Sequence, residues 1–178
     1  GNFLLLAAFH FSAADFIIRM AVTIFLNALG YFINDYIDVE VDLANTEKDH
    51  KKALFIKQHK RQALLFILAL SGALIGFSWF YSKSVCFAVV MLIACVSVYT
   101  AFCKNIVFLD VLFIGLWGFF LSWVAIPDFS FTGIKLIGLL FLFGCCFEIV
   151  QTIKAYDHDK KYGLRTSPVV LGINPTFV

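Results

Sequence analysis

Charge is what this chain has least of. Only 15% of its 178 residues are Asp, Glu, Lys or Arg, 61% are hydrophobic, and mean hydropathy is +0.89. A soluble domain carries about a quarter charged and about half apolar residues. A water-soluble globule is therefore excluded, and a polytopic membrane protein is expected. Missing motifs narrow the chemistry further. The cysteines (Cys86, Cys95, Cys103, Cys145, Cys146) lie in apolar runs without CxxC or Cys/His metal spacing, and read as small buried hydrophobes. There is no Gly-rich phosphate loop, no Ser/His/Asp arrangement and no nucleic-acid recognition feature, so nucleic acid is not an expected partner. No signal peptide is visible, and the first apolar run is already under way at Gly1. The expectation is a single transmembrane domain over residues 1–178, truncated at both ends.

What is present is a succession of apolar runs. Asn2 to Phe9 is too short to span a bilayer, and His10-Phe11-Ser12 makes a connection with Ser12 as N-cap. Ala13 to Tyr36 is long enough to cross, with Asp15 and Arg19 placed at i, i+4 to pair. Gln62 to Phe80, Val85 to Phe102, Val107 to Ile126 and Gly133 to Ile153 complete about five spans of roughly 20 residues each. Two polar stretches interrupt them. One contains Lys48, Lys51, Lys52, Lys57, Lys60 and Arg61, and the other Lys154, Lys160, Lys161 and Arg165. Four spans separate the two, so parity puts them on one side. The excess of Lys and Arg makes that side cytoplasmic.

The most informative stretch is Asn34-Asp35-Tyr36-Ile37-Asp38-Val39-Glu40-Val41-Asp42, at the end of a span. Asn34, Asp38 and Asp42 are spaced i, i+4, i+8, and Asp35 lies three residues before Asp38, so all four share one helical stripe. Like charges so arranged repel, and no Lys or Arg within the stretch offsets them. A hard divalent cation with oxygen ligands is the natural partner. A second acidic pair, Asp157 and Asp159, falls on the same side. The physical reading is a metal site whose ion bridges to a phosphorylated ligand while Lys and Arg bind the remaining phosphate oxygens. A diphosphate leaving group and a long isoprenoid chain suit such a site, and Phe-rich walls would keep it dry. Glu148, ionisable inside an apolar run, reads equally as part of the site or as a helix–helix hydrogen bond.

These residues resemble the UbiA superfamily of intramembrane prenyltransferases. Asn34-Asp35-x-x-Asp38-x-x-x-Asp42 matches its first acidic motif without a gap, and Ala28 to Ile33 looks like the usual approach to it. Tyr99 to Lys104, followed by Leu109-Asp110-Val111-Leu112, is similar to its Tyr-x-x-x-x-Lys segment and the next helix. Asp157-x-Asp159-x-x-x-Gly163-x-x-Thr166-x-Pro168-Val169 resembles the second motif and its tail. The resemblance implies an all-α polytopic bundle of about nine spans, of which this chain would carry about six. It implies that Mg²⁺ held by both motifs binds a polyprenyl diphosphate, which alkylates a lipophilic, aromatic acceptor. Asn34, Asp35, Asp38, Asp42, Asp157 and Asp159 are then the implied metal ligands. Lys104, Lys48 and Arg165 are implied to contact the diphosphate, and Tyr99 to line the site. Asp35, Asp38 and Lys104 are the implied catalytic residues. The implied location is the cell (inner) membrane with the site facing the cytoplasm, among membrane lipid and with room for protein partners.

Two positions depart from the family pattern. Ala155 stands where the second motif has an Asp, and Lys51-Lys52-Ala53-Leu54 stands where an Arg-Pro pair commonly follows the first. Lys binds phosphate as a point charge without the bidentate fork of Arg. Alternatives are phosphoribosyl transfer to a polyprenyl phosphate, which the Asp42-to-Lys48 spacing suits, and a catalytically reduced structural subunit, which Ala155 suits. A transporter is a further one, although acidic pathways in transporters sit nearer the bilayer midplane.

Overall fold

The computed structural model describes residues 2–44, 50–104, 106–127, 131–161 and 163–173, with the side chains of Phe131 and His158 outside that set. Lys48, an expected diphosphate contact, lies outside the described residues. Within them the chain is helical, with no strand.

Helix α1 (Asn2–Ala8) turns at His10 into α2 (Ala13–Ile37), where the Ser12 side chain accepts from Asp15 N at 3.2 Å as expected of an N-cap. The long helices that follow are α5 (Lys60–Tyr81), α6 (Lys83–Val98) and α8 (Phe131–Lys154). With α2 they give four segments long and apolar enough to cross a membrane, α6 being extended to Cys103 by a π turn (Tyr99–Cys103). The fifth expected span is shorter than the apolar run suggests. Helix α7 (Leu109–Trp123) has 15 residues, about 22 Å, against a hydrocarbon core of roughly 30 Å. Phe108, at φ 68°, precedes it, and its last turn opens into Val124, Ala125 and Ile126, all buried.

Pro127, which has no N–H to give the Trp123 carbonyl, and Arg19 together account for that ending. Arg19 Nη1 donates to the carbonyls of Val124 (2.7 Å) and Ile126 (3.1 Å), which the helix leaves unpaired, and its Nε donates to the Tyr81 hydroxyl. Tyr81 in turn donates to Asp15 at 2.6 Å. The expected pair of Asp15 with Arg19 is thus bridged by a phenol from α5, and one buried cation joins α2, α5 and α7 at the end far from the acidic stripe.

Apolar packing does the rest. Val22, Leu26, Leu29 and Ile33 of α2 meet Ile67 and Leu74 of α5, Val89, Leu92 and Val96 of α6, and Phe120 of α7. Their helical spacing leaves the opposite faces of α5 and α8 apolar and exposed, as lipid-facing helices require. Helix α8 leans almost wholly on α7, so closely that a Cβ added at Gly144 would lie 3.3 Å from the Gly115 Cα. Small residues at such crossings let backbones approach where lipid offers no hydrophobic drive.

The polar stretch after α2, read as a basic loop, contains helices. Helix α3 (Val39–Ala44) continues the acidic stripe, and α4 (Lys51–Gln58) buries Ala53 and Ile56 against Val39 and Ala63. Helix α9 (Tyr156–Lys161) follows α8, and α10 (Ser167–Leu171) returns to pack on it.

Candidate active site

The acidic stripe straddles a break in the helix. Asp38 is the C-cap of α2, yet Asp38 N donates to Asn34 O (2.9 Å) and Asp42 N to Asp38 O (2.8 Å), so the i, i+4 register survives the bend. Lysines distant in sequence answer the acids. Lys104 Nζ donates to Asp38, which is 7% exposed, and Lys52 Nζ from α4 donates to Asp35 at 2.7 Å. The absence of cations within the stripe itself therefore does not leave it uncompensated. Farther out, Lys57 pairs with Glu40 at 2.8 Å between exposed side chains.

The π turn sets the position of Lys104. Its amide donates to Tyr99 O across five residues, and the wider turn puts Tyr99 and Lys104 on one face, which the spacing in an α-helix does not. Thr100 lies one step on, with its hydroxyl 2.9 Å from Val96 O and 3.3 Å from Asn34 Oδ1.

Tyr99 and Lys104 open onto a cavity of about 290 Å³, shared with Asp110, Glu148, Gln151, Thr152, Ala155, Asp159 and Thr166 among others. Tyr99 donates its phenol proton to Glu148 Oε1 at 3.4 Å. The second acidic stretch thus lines this space through Asp159, while the first reaches it only through the ion pair of Asp38 with Lys104; Asn34, Asp35 and Asp42 are not among its lining residues. Asp159, 7% exposed, accepts from the Thr166 hydroxyl at 3.1 Å. A larger and mainly apolar cavity of about 440 Å³ lies alongside, lined by Phe108, Leu112, Phe141, Cys145 and Ile149 among others.

Not every expected residue is gathered there. Asp157 and Arg165 are exposed and do not line the cavity. Asp42 is half-buried one turn beyond Asp38. Among the described residues no three His, Cys, Asp or Glu side chains converge as a ready cation cage. The donors are all hard oxygens: Asp159 and Glu148 line the cavity beside Lys104, while Asn34, Asp35, Asp38 and Asp42 lie outside its lining. That suits an ion such as Mg²⁺, which keeps its waters and binds through one or two carboxylates plus substrate phosphates.

Gln151 and Thr152 escape a motif reading, although they share a helical face with residues that it names. Glu148, Gln151, Thr152, Ala155 and Asp159 form one i, i+3, i+4, i+7, i+11 stripe, a signal available in the sequence once the helix is granted. Lys52 gave no such signal, because only the fold of α4 brings it to Asp35.

A helical bundle with a polar, two-signed cavity at one end of its spans defines an integral membrane protein built to handle a charged group beside lipid. The chain belongs to the UbiA prenyltransferase family, whose family model matches residues 1–178. No match was found among curated proteins or solved structures.

Proposed function

We propose that this chain transfers a polyprenyl group from a polyprenyl diphosphate to a lipophilic, aromatic acceptor, with Mg²⁺ as cofactor, at the cytoplasmic mouth of a membrane cavity. One observation carries this reading. Asp159 of the second acidic stretch shares a cavity with Lys104, and Lys104 is held by Asp38 of the first. This supports a shared anion-plus-metal site, with the second stretch on the cavity wall and the first linked to it through the Lys104 ion pair.

The residues divide the work by chemistry. Asn34, Asp35, Asp38, Asp42 and Asp159 offer oxygens to Mg²⁺, with Asp157 in reserve at the exposed rim. The ion supplies charge stabilisation to the leaving diphosphate. Lys104 and Lys52 exchange their carboxylate partners for phosphate oxygens when substrate arrives, so neither charge is left unpaired in either state. As the bond between the prenyl C1 and the diphosphate oxygen breaks, these ammonium groups neutralise the developing negative charge. The Tyr99 ring borders the space where the allylic cation forms, and an aromatic face stabilises a cation there. The neighbouring apolar cavity of α7 and α8 supplies a dry wall for the hydrocarbon.

The test is release of diphosphate from radiolabelled geranylgeranyl or farnesyl diphosphate by the protein in lipid with Mg²⁺. Wild type releases it, and Asp35→Ala and Asp38→Ala lower the rate by about 100-fold or more. No release at any prenyl length, with normal folding, would overturn the enzyme reading in favour of a structural subunit. Release from phosphoribosyl diphosphate instead would replace the donor.

A further inference from the structure

Asp110 is 1% exposed, the most deeply buried carboxylate among the described residues. It stands in the first turn of α7, and three hydrogen bonds occupy most of the roughly four lone-pair sites of its two oxygens. Oδ1 accepts from the Ser167 hydroxyl (2.6 Å) and Val111 N (2.9 Å), and Oδ2 accepts from Ser167 N (2.7 Å). Ser167 Oγ also accepts from Phe108 N at 2.9 Å. With its lone pairs so occupied and no solvent access, Asp110 is poorly placed to ligate an ion although it borders the polar cavity. Its partner is the residue next to Thr166, and Thr166 donates to Asp159. A continuous chain of bonds thus runs from the start of α7 through residues 166 and 167 to the carboxylate at the cavity wall.

We infer that Asp110 is a positioning residue: it clamps the 166–167 segment to α7 and thereby fixes Asp159 toward the metal and diphosphate. The inference rests on the metal role proposed above for Asp159. Its physical basis is the general one that ligating carboxylates are oriented by hydrogen-bonded partners, whose loss weakens metal affinity by about 10–100-fold. Ionic bonding to two backbone amides and a hydroxyl makes the clamp rigid, because no donor in it is a long flexible side chain. The strand of chain after α9 would otherwise be held to the bundle mainly by α10.

The experiment is a Mn²⁺ titration of the full chain in lipid nanodiscs with inorganic diphosphate present, followed by electron paramagnetic resonance, with thermal unfolding measured on the same samples. Asp110→Asn raises the half-saturating Mn²⁺ concentration about 10-fold or more. Ser167→Ala and Thr166→Val raise it by smaller factors, and Thr166→Ser restores the wild-type value. In an Asp159→Asn background, Asp110→Asn adds no further loss, since both act through one ligand. If Asp110→Asn does not fold, Ser167→Ala and Thr166→Val carry the test. A lowered unfolding temperature with unchanged Mn²⁺ affinity, or full additivity with Asp159→Asn, overturns the inference and leaves the proposed function standing. Wild type that binds no Mn²⁺ with diphosphate overturns both.

Discussion

Lys104 and Asp38 form an ion pair of a different kind from the others. Their side chains are 33% and 10% exposed, whereas those of Lys57 and Glu40 are 50% and 63% exposed. Exposed pairs contribute about 0–1 kcal/mol, so Lys57→Ala is expected to change unfolding by less than about 1 kcal/mol and leave diphosphate release intact. Removing Lys104 strands a mostly buried carboxylate and deletes a phosphate donor. Lys104→Ala is expected to cut diphosphate release by about 100-fold or more, and Lys104→Arg to recover part of it because the charge is kept. Equal effects at Lys57 and Lys104 in a release assay would refute the division between rim and site. At this scale the sequence was most informative where local spacing decides, as in the Asn34 to Asp42 stripe. It was silent on Lys52 and Ser167, whose partners at Asp35 and Asp110 are 17 and 57 residues away and meet them only through the fold.

Among the elements, the α7–α8 crossing is where packing tolerates least. A Cβ at Gly115 would lie 2.4 Å from Cys145 Sγ and 2.9 Å from the Phe141 ring, while one at Gly72 on α5 meets nothing within 4 Å. Gly115→Ala is expected to destabilise by about 1–3 kcal/mol through overpacking, read as a lowered unfolding temperature in detergent. Cys145→Ala in the same chain should recover part of it by vacating the sulfur. Gly72→Ala should be neutral or slightly stabilising. An unchanged unfolding temperature for Gly115→Ala would mean that the helices do not cross so closely. The long helices were legible from apolar length, but the limits of α7 were not. Its apolar residues run on past Trp123 to Ile126, so apolar length overstates it; Pro127, with no N–H for the Trp123 carbonyl, stops the helix, and Arg19 takes up the Val124 and Ile126 carbonyls beyond it. Helix α4 was hidden for the opposite reason. Its lysines read as a basic loop, while the few apolar residues that fold it, Ala53 and Ile56, carry little weight in composition.

For the whole molecule, the two ends of the bundle differ in chemistry. One end carries the acidic stripe, α4 and the polar cavity, and the other the Arg19 cluster and the α5–α6 turn. On the orientation proposed above, the first end lies in the cytoplasm, the side that its excess of Lys and Arg favours. In a cysteine-free background, Lys57→Cys and Lys160→Cys are expected to react with a membrane-impermeant maleimide only from the cytoplasmic face, and Lys83→Cys only from the opposite one. Reaction of Lys57→Cys and Lys83→Cys from the same face would break the topology. The parity argument that joined the two acidic stretches needed nothing beyond the count of spans. Asp159 continues the stripe from Glu148 to Ala155 because the i, i+4 register carries on from α8 into α9, so helical spacing chooses Asp159 over Asp157 once that continuity is granted.

The π turn at Tyr99 has a consequence in genetic terms. A π turn is an α-helix with one residue inserted. Removing that residue leaves Tyr and Lys four apart, about 40° from one another on an ordinary helix, and so still on one face. An in-frame deletion of the Ala101 codon is therefore expected to preserve diphosphate release within about 10-fold, while deletion of the Val90 codon in α6, which turns everything beyond it by about 100°, abolishes it. Motif spacing and motif geometry part company here. The reading frame absorbs one codon between Tyr99 and Lys104, and a search that fixes their separation would pass over chains that build the same site one residue shorter.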